Sequence, residues 1–408
     1  MKIWARRLRV SGYLDGQIFW HASAVPSRED SAHDKEHSMS HTTKPTASQL
    51  LTGEFKQLVT FRPHPRPWHM PLVAALAISF PVFVGAYTER LAVGMLASLG
   101  AMVFLNLPYQ GGLFLRLAHV LACSFGFVAC FGLGLIAHVL PALILPTVMF
   151  VAFWVVLFGR YFRLAPPAGL FIIMATAIAL FMPTPLAQVP FYVGIIALGC
   201  LFSGMAASAY TLWLLTKQHD VGKSQVGYQR DMLTDSALVA VVVTLSLAVA
   251  LWLKMPRPYW VLVGCYVVVV GASLQSMWSK QFQRIVGTGV GMLVAWLLLW
   301  LQPDAWGVAL AIFALAFSIE TLVVRNYASA ALFITPLTIL LAEYGNPNNP
   351  LVNTSMAAHE AIIMARFWDT ALGCVIGVIG GAVMYSTSVR PKLQSLERRL
   401  MSRLHIHL

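Results

Sequence analysis

Beyond residue 65 the chain alternates between long apolar runs and short polar or basic breaks. Twelve runs stand out, near 70–88, 91–107, 113–137, 140–159, 165–182, 190–215, 236–253, 259–276, 285–301, 304–323, 327–343 and 363–386. Each approaches the roughly 17–25 residues that a helix needs to cross a bilayer. The pattern predicts an all-α polytopic membrane protein with about 12 transmembrane helices. Only Pro108–Gly112 separates the second run from the third.

The breaks predict an orientation. With the N-terminus inside, cytoplasmic connections carry Arg116, Arg160, Arg163, Lys217, Lys223, Arg230, Lys280, Arg284 and Arg325. The opposite connections carry Arg90, Lys254, Arg257 and Arg366. Lysine and arginine concentrate on the cytoplasmic side of membrane proteins, so both termini are expected there.

The runs also repeat. Leu113–Arg116 corresponds to Gln281–Arg284, and Gly159-Arg160-Tyr161 with Leu170-Phe171-Ile172 to Val324–Tyr327 with Leu332-Phe333-Ile334. Gly194–Gly204 corresponds to Gly373–Gly381. Six spans per unit is an even number, so the expectation is two parallel six-helix repeats about an axis along the membrane normal. The segments are then a polar, disordered tail (1–65), a first membrane repeat (66–216), a cytoplasmic linker (217–235), a second membrane repeat (236–386) and a basic tail (387–408).

Composition agrees with the pattern. Of 408 residues, 58% are hydrophobic and 11% charged, against about 25% charged in a soluble domain. The net charge of +12 sits in the tails and beside the apolar runs, which points to a membrane surface and not to nucleic acid. Five cysteines lie within apolar runs without a C-x-x-C pair, so neither a disulfide framework nor a zinc site is expected. The first 27 residues lack the continuous apolar core of a signal peptide. His33, His37 and His41 fall in the polar tail, and no metal is assigned to them.

Candidate chemistry lies where charge meets glycine. Arg284, Gly287 and Gly291 are spaced i, i+3 and i+7, so they share one helix face, and the G-x-x-x-G pair admits a close neighbour. Arg366 and Asp369 are i, i+3 neighbours, with Gly373, Gly377 and Gly381 following at helical spacing. Charges inside a span usually face a cavity or a partner. Asp369 and Glu320 are therefore the candidate proton-coupling acids. Arg284, Arg325 and Arg366, with Tyr327, Thr335 and Pro336, are the candidate substrate-binding residues. A static ion pair at Arg366–Asp369, and interfacial snorkelling at Glu320, are the structural alternatives. Pro336 and Pro166-Pro167 are expected to break two matching helices and line a cavity. Tyr327, Phe333 and Trp368 could stack on an aromatic ring.

No P-loop, H-E-x-x-H or G-x-S-x-G motif is present, so neither an enzyme nor a cofactor is expected.

An ordered set of motifs carries a resemblance. Pro258-Tyr259-Trp260, Gln283–Gly291, Arg325–Ala328 with Phe333–Pro336, and Arg366–Gly373 together resemble the fusaric acid resistance family. That family includes bacterial aromatic carboxylic acid exporters and is distantly similar to the plant aluminium-activated malate transporters. The resemblance is strong over 256–386 and weaker over 62–216. It implies a secondary exporter of aromatic or related organic acids in the bacterial inner membrane, conferring resistance to them and able to work with a periplasmic adaptor, while Asp369 and Glu320 are what suggest proton coupling. A passive organic-anion channel and a membrane scaffold without transport are the other classes. Glycine-faced helices also permit a homodimer.

Overall fold

The computed structural model describes residues 60–61, 67–108, 112–164, 169–217, 227–228, 231–270, 274–344, 356–386 and 390–403. Among these there is no strand. Helices run in the order α1 His69–Tyr87, α2 Leu91–Ala101, α3 Leu113–Val139, α4 Ile144–Tyr161, α5 Leu170–Leu180, α6 Val189–Leu215, α7 Met232–Trp252, α8 Pro258–Val269, α9 Leu274–Trp300, α10 Ala305–Leu322, α11 Tyr327–Ile339, α12 Met356–Met384 and α13 Arg390–Arg403.

Eight of these helices are long and apolar enough to cross a membrane. The other four apolar helices, α2 (with a 3₁₀ turn to Asn106), α5, α8 and α11, are shorter. At 1.5 Å per residue the 11 residues of α5 rise only about 16 Å, roughly half a bilayer core. Eight of the twelve expected spans are thus helices long enough to cross a membrane, and the other four apolar runs form shorter helices. Where 165–182 was expected to span, the helix begins at Leu170, and Pro166-Pro167 lie outside the described residues, as do His33, His37 and His41.

The short helices are the interior. Eleven of the twelve residues of α8 are buried, as are nine of eleven in α5. A helix that is apolar all round gains most by being surrounded. Exposed large hydrophobics such as Phe80, Phe125, Trp154, Leu201, Leu245, Leu293, Leu310 and Ile379 lie on the long helices, and none lies on the four short ones. Such a surface suits lipid, not water. Trp68, Tyr87, Trp252, Trp300 and Trp306 are exposed at helix ends, where aromatic side chains meet headgroups.

Long and short helices alternate in one order twice: long, short, long, long, short, long in α1–α6 and again in α7–α12. Contacts repeat in step. The pairs α1–α2, α2–α6, α3–α5, α3–α6 and α4–α5 match α7–α8, α8–α12, α9–α11, α9–α12 and α10–α11. Between the halves, α4 packs on α7 and α10 on α1. The turns leaving α1 and α7 also match: Arg90 N–H bonds Gly85 O (2.8 Å) and Met255 N–H bonds Ala250 O (3.0 Å), with positive φ at Glu89 (58°) and Lys254 (52°).

One expected boundary shifts, and one expected tail holds a helix. The linker expected over 217–235 ends earlier, because α7 starts at Met232 and takes buried Asp235 into its first turns. The basic tail 387–408 contains α13, which packs on α7.

Candidate functional site

The site is set by how closely glycine lets α8 and α12 approach. A Cβ on Gly373 would stand 2.3 Å from Val261 O, and one on Gly377 would stand 2.9 Å from the Val268 Cβ. Any larger residue at 373 would drive α12 into the α8 backbone. Contacts advance together along both chains, so the two helices run parallel. Gly381 continues the buried face. This approach brings Trp260 of α8 under Arg366 of α12.

Arg366 is 3% exposed. Its guanidinium carbon lies 3.1 Å from the centre of a Trp260 ring, and Nη2 donates to Thr338 Oγ1 of α11 at 3.0 Å. A desolvated cation over an indole face is stabilised by about 2 kcal/mol. One turn along α12, Asp369 is fully buried, and neither carboxyl oxygen makes a hydrogen bond among the described residues. The nearby charges are Arg366 and Arg257. The buried Thr370 hydroxyl beside it has no hydrogen-bond partner among those residues either. A buried carboxyl lacking hydrogen bonds is costly, and a proton, a cation or a ligand relieves that cost.

A second cation stands at the other end of α11. Arg284 of α9 is 5% exposed, and its Nη1 donates to Tyr327 Oη at 3.3 Å. It is held there by the α9–α11 contact. A Cβ on Gly287 would stand 2.7 Å from Ala328 O, and one on Gly291 2.5 Å from Leu332 O. Pro336 lacks the N–H that would satisfy Leu332 O within the helix, and this is the carbonyl that faces Gly291. Eleven residues separate Tyr327 from Thr338, about 16 Å along α11. Cys374, one residue past Gly373, is fully buried on α12.

Not every expected residue joins the cluster. Arg325 is exposed in the turn before α11. Glu320 is buried on α10 at 4% exposure. Thr335 is buried, but its hydroxyl donates to Ala331 O in its own helix at 3.1 Å. Pro336 was expected to break its helix; instead α11 continues through it to Ile339 and ends in a π turn, Leu340–Tyr344. Trp368 is 62% exposed on the outer face of α12 and turned from the cluster. Phe333 packs into the core. Trp260, Thr338 and Cys374 enter the site without having been assigned to it. Trp260 was legible as part of a motif, whereas Thr338 carried no signal of its own.

A helical bundle with a lipid-suited surface, an interior of short helices and buried charge among them is a polytopic membrane protein. Residues 245–380, the part that holds Trp260, Arg284, Arg366 and Asp369, match a family model described as fusaric acid resistance protein-like. The chain is also 28% identical over 145 residues to the uncharacterized membrane protein YvaC of Bacillus subtilis (strain 168). That alignment covers 36% of this chain and 22% of the relative, so the chain matches about a fifth of YvaC's length. No solved structure matches the chain.

Proposed function

We propose that the protein is a secondary exporter of aromatic or related organic acids in a bacterial inner membrane. It is driven by protons and built as two parallel six-helix repeats with both termini cytoplasmic. The observation that carries this reading is Asp369: a fully buried carboxyl without hydrogen bonds among the described residues, one turn from an arginine stacked on tryptophan. In this reading Asp369 takes up and releases a proton. Arg366 and Arg284 hold the substrate carboxylate at successive levels along α11, and Trp260 offers a ring for stacking. Glu320 is a second proton-coupling candidate. The repeated helix lengths and matched contacts support the two-repeat arrangement. Arg160, Arg163, Arg325, Arg390 and Lys392 stand where cytoplasmic ends are expected, against Arg90, Lys254 and Arg257 at the opposite ends, which supports the orientation. The family match supports transport and resistance. A periplasmic adaptor and a homodimer remain part of the proposal.

A passive anion channel is the second reading, favoured by the two buried guanidiniums along one short helix. Uptake of benzoate-type acids into inverted vesicles, with and without an imposed pH gradient, separates the two. Gradient-driven accumulation that Asp369→Asn abolishes supports the exporter. Downhill flux that survives Asp369→Asn but not Arg284→Ala identifies the channel. Absence of flux for every acid tested defeats both and leaves a scaffold.

A further inference from the structure

The C-terminal helix makes a set of contacts that the transport reading does not use. Asp231, which precedes α7, has φ 65° and provides no side-chain cap. The first N–H groups of α7 therefore need an acceptor from elsewhere. Glu397 of α13, 6% exposed, fills that role from 163 or more residues away. It accepts from the backbone N–H groups of Leu233 (3.2 Å) and Thr234 (3.0 Å), and from the hydroxyls of Thr234 and Tyr228. A carboxylate at a helix N-terminus also meets the favourable end of the helix dipole. Gln394, on the same face of α13, donates to Asp231 at 2.9 Å.

The start of α13 reaches a different place. Arg390 Nη2 lies 3.5 Å from Asp235 Oδ1, and Asp235 Oδ2 accepts from Arg160 Nη1 at 2.7 Å. Arg160 belongs to α4, and the α4–α7 contact is a seam between the two halves. The Arg390 guanidinium also stands 5.3 Å from the Tyr385 ring at the end of α12. One 14-residue helix thus caps α7, leans on the end of α12 and completes an arginine–aspartate–arginine chain across the seam.

We infer that α13 is a latch that holds the α4–α7 seam closed and, while docked, restrains movement of one half against the other. Relative movement of repeats is how transporters of this architecture expose a site to alternate sides, so the effect on transport rests on the exporter reading. The seam itself does not. Burial pushes the Glu397 carboxyl up, but its hydrogen bonds from Thr234, Tyr228 and Leu233 outweigh that and hold it below the usual range. The latch is therefore ionised and engaged at neutral pH.

The test uses the full chain in lipid nanodiscs, comparing wild type with Glu397→Gln and with Glu397→Gln/Arg390→Gln. Hydrogen exchange needs no substrate. Exchange over residues 231–240 and 150–161 is expected to accelerate about tenfold in the double variant, the factor that loss of a cap of this kind produces. Unchanged exchange overturns the latch. In vesicles, flux of an aromatic acid is expected to rise about twofold or more in Glu397→Gln; faster exchange with unchanged or reduced flux overturns the restraint on transport. If the wild type moves no acid, the exporter reading fails, and exchange at 150–161 alone decides whether α13 holds the seam. Thr234→Val, which removes one of the hydroxyl bonds, is the second variant should Glu397→Gln fail to assemble.

Discussion

The helix pair α2–α6 in the first half and the pair α8–α12 in the second are built on one plan and filled differently. In both, a glycine of the sixth helix lies on a carbonyl of the second: a Cβ on Gly199 would stand 1.9 Å from Ala97 O, and one on Gly373 2.3 Å from Val261 O. The flanking sequence is the same Ala-Leu-Gly-Cys, at 197–200 and 371–374. Around that shared contact the occupants diverge. Where the second half has Trp260, Arg366, Asp369 and Thr370, the first has Leu96, Tyr192, Ile195 and Ile196, all buried. One scaffold therefore carries an ionic cluster in one copy and an apolar filling in the other. Close packing needs the glycine, and it does not need the charges. The charges are found in the second half alone at these positions.

Substituting the shared glycines tests the scaffold and has the largest expected effect. Gly199→Leu and Gly373→Leu should each prevent assembly, because the obstructing atoms are backbone. Size-exclusion profiles of the detergent-extracted protein check this, and a well-folded Gly373→Leu would refute the shared contact.

Arg366→Met against Tyr192→Phe comes next. Removing the arginine takes away its stacking on Trp260 and its bond to Thr338 and leaves Arg257 as the charge near Asp369, a loss of about 3–5 kcal/mol. Tyr192→Phe removes a part-buried hydroxyl bond to Gln188 of 3.4 Å, worth about 1 kcal/mol or less. Thermal unfolding in detergent should show a drop several times larger for the first. Equal drops would mean that the ionic filling has no special place.

Tyr327→Phe against Tyr210→Phe sharpens the comparison at the other end of each half. Tyr327 accepts from Arg284, while Tyr210 shares a 2.9 Å bond with His69 and lies near Arg116. Each loss should be about 0.5–1.5 kcal/mol. Only Tyr327→Phe is expected to weaken substrate dependence of flux, read as a higher KM with similar expression.

The smallest effect at neutral pH concerns α13, which only the second half possesses among the described residues. Because the Glu397 carboxyl is held below its usual range, its docking contribution is complete above the unfolded value of about 4.3. It is lost as pH falls through the lower folded value. Exchange protection of residues 231–234 should be flat from pH 8 to 5 and decline only below about pH 4; a midpoint near 6 would rule out Glu397 as the capping group.

The membrane class, the all-helical backbone and the position of each apolar run were legible in the sequence, because a bilayer imposes helix and length on any chain that crosses it. The face shared by Arg284, Gly287 and Gly291 was legible for the same kind of reason: helical spacing is local geometry. Tertiary structure alone decided that four runs are short interior helices, since apolar composition does not distinguish a lipid-facing surface from a buried one. It also decided that Trp260 and Thr338 meet at Arg366, contacts made between residues 28 to 106 positions apart in the chain. The buried Asp235 and the capping Glu397 were invisible in a polar linker and a basic tail. Their partners are chosen by how distant helix ends come together, and no local pattern records that choice.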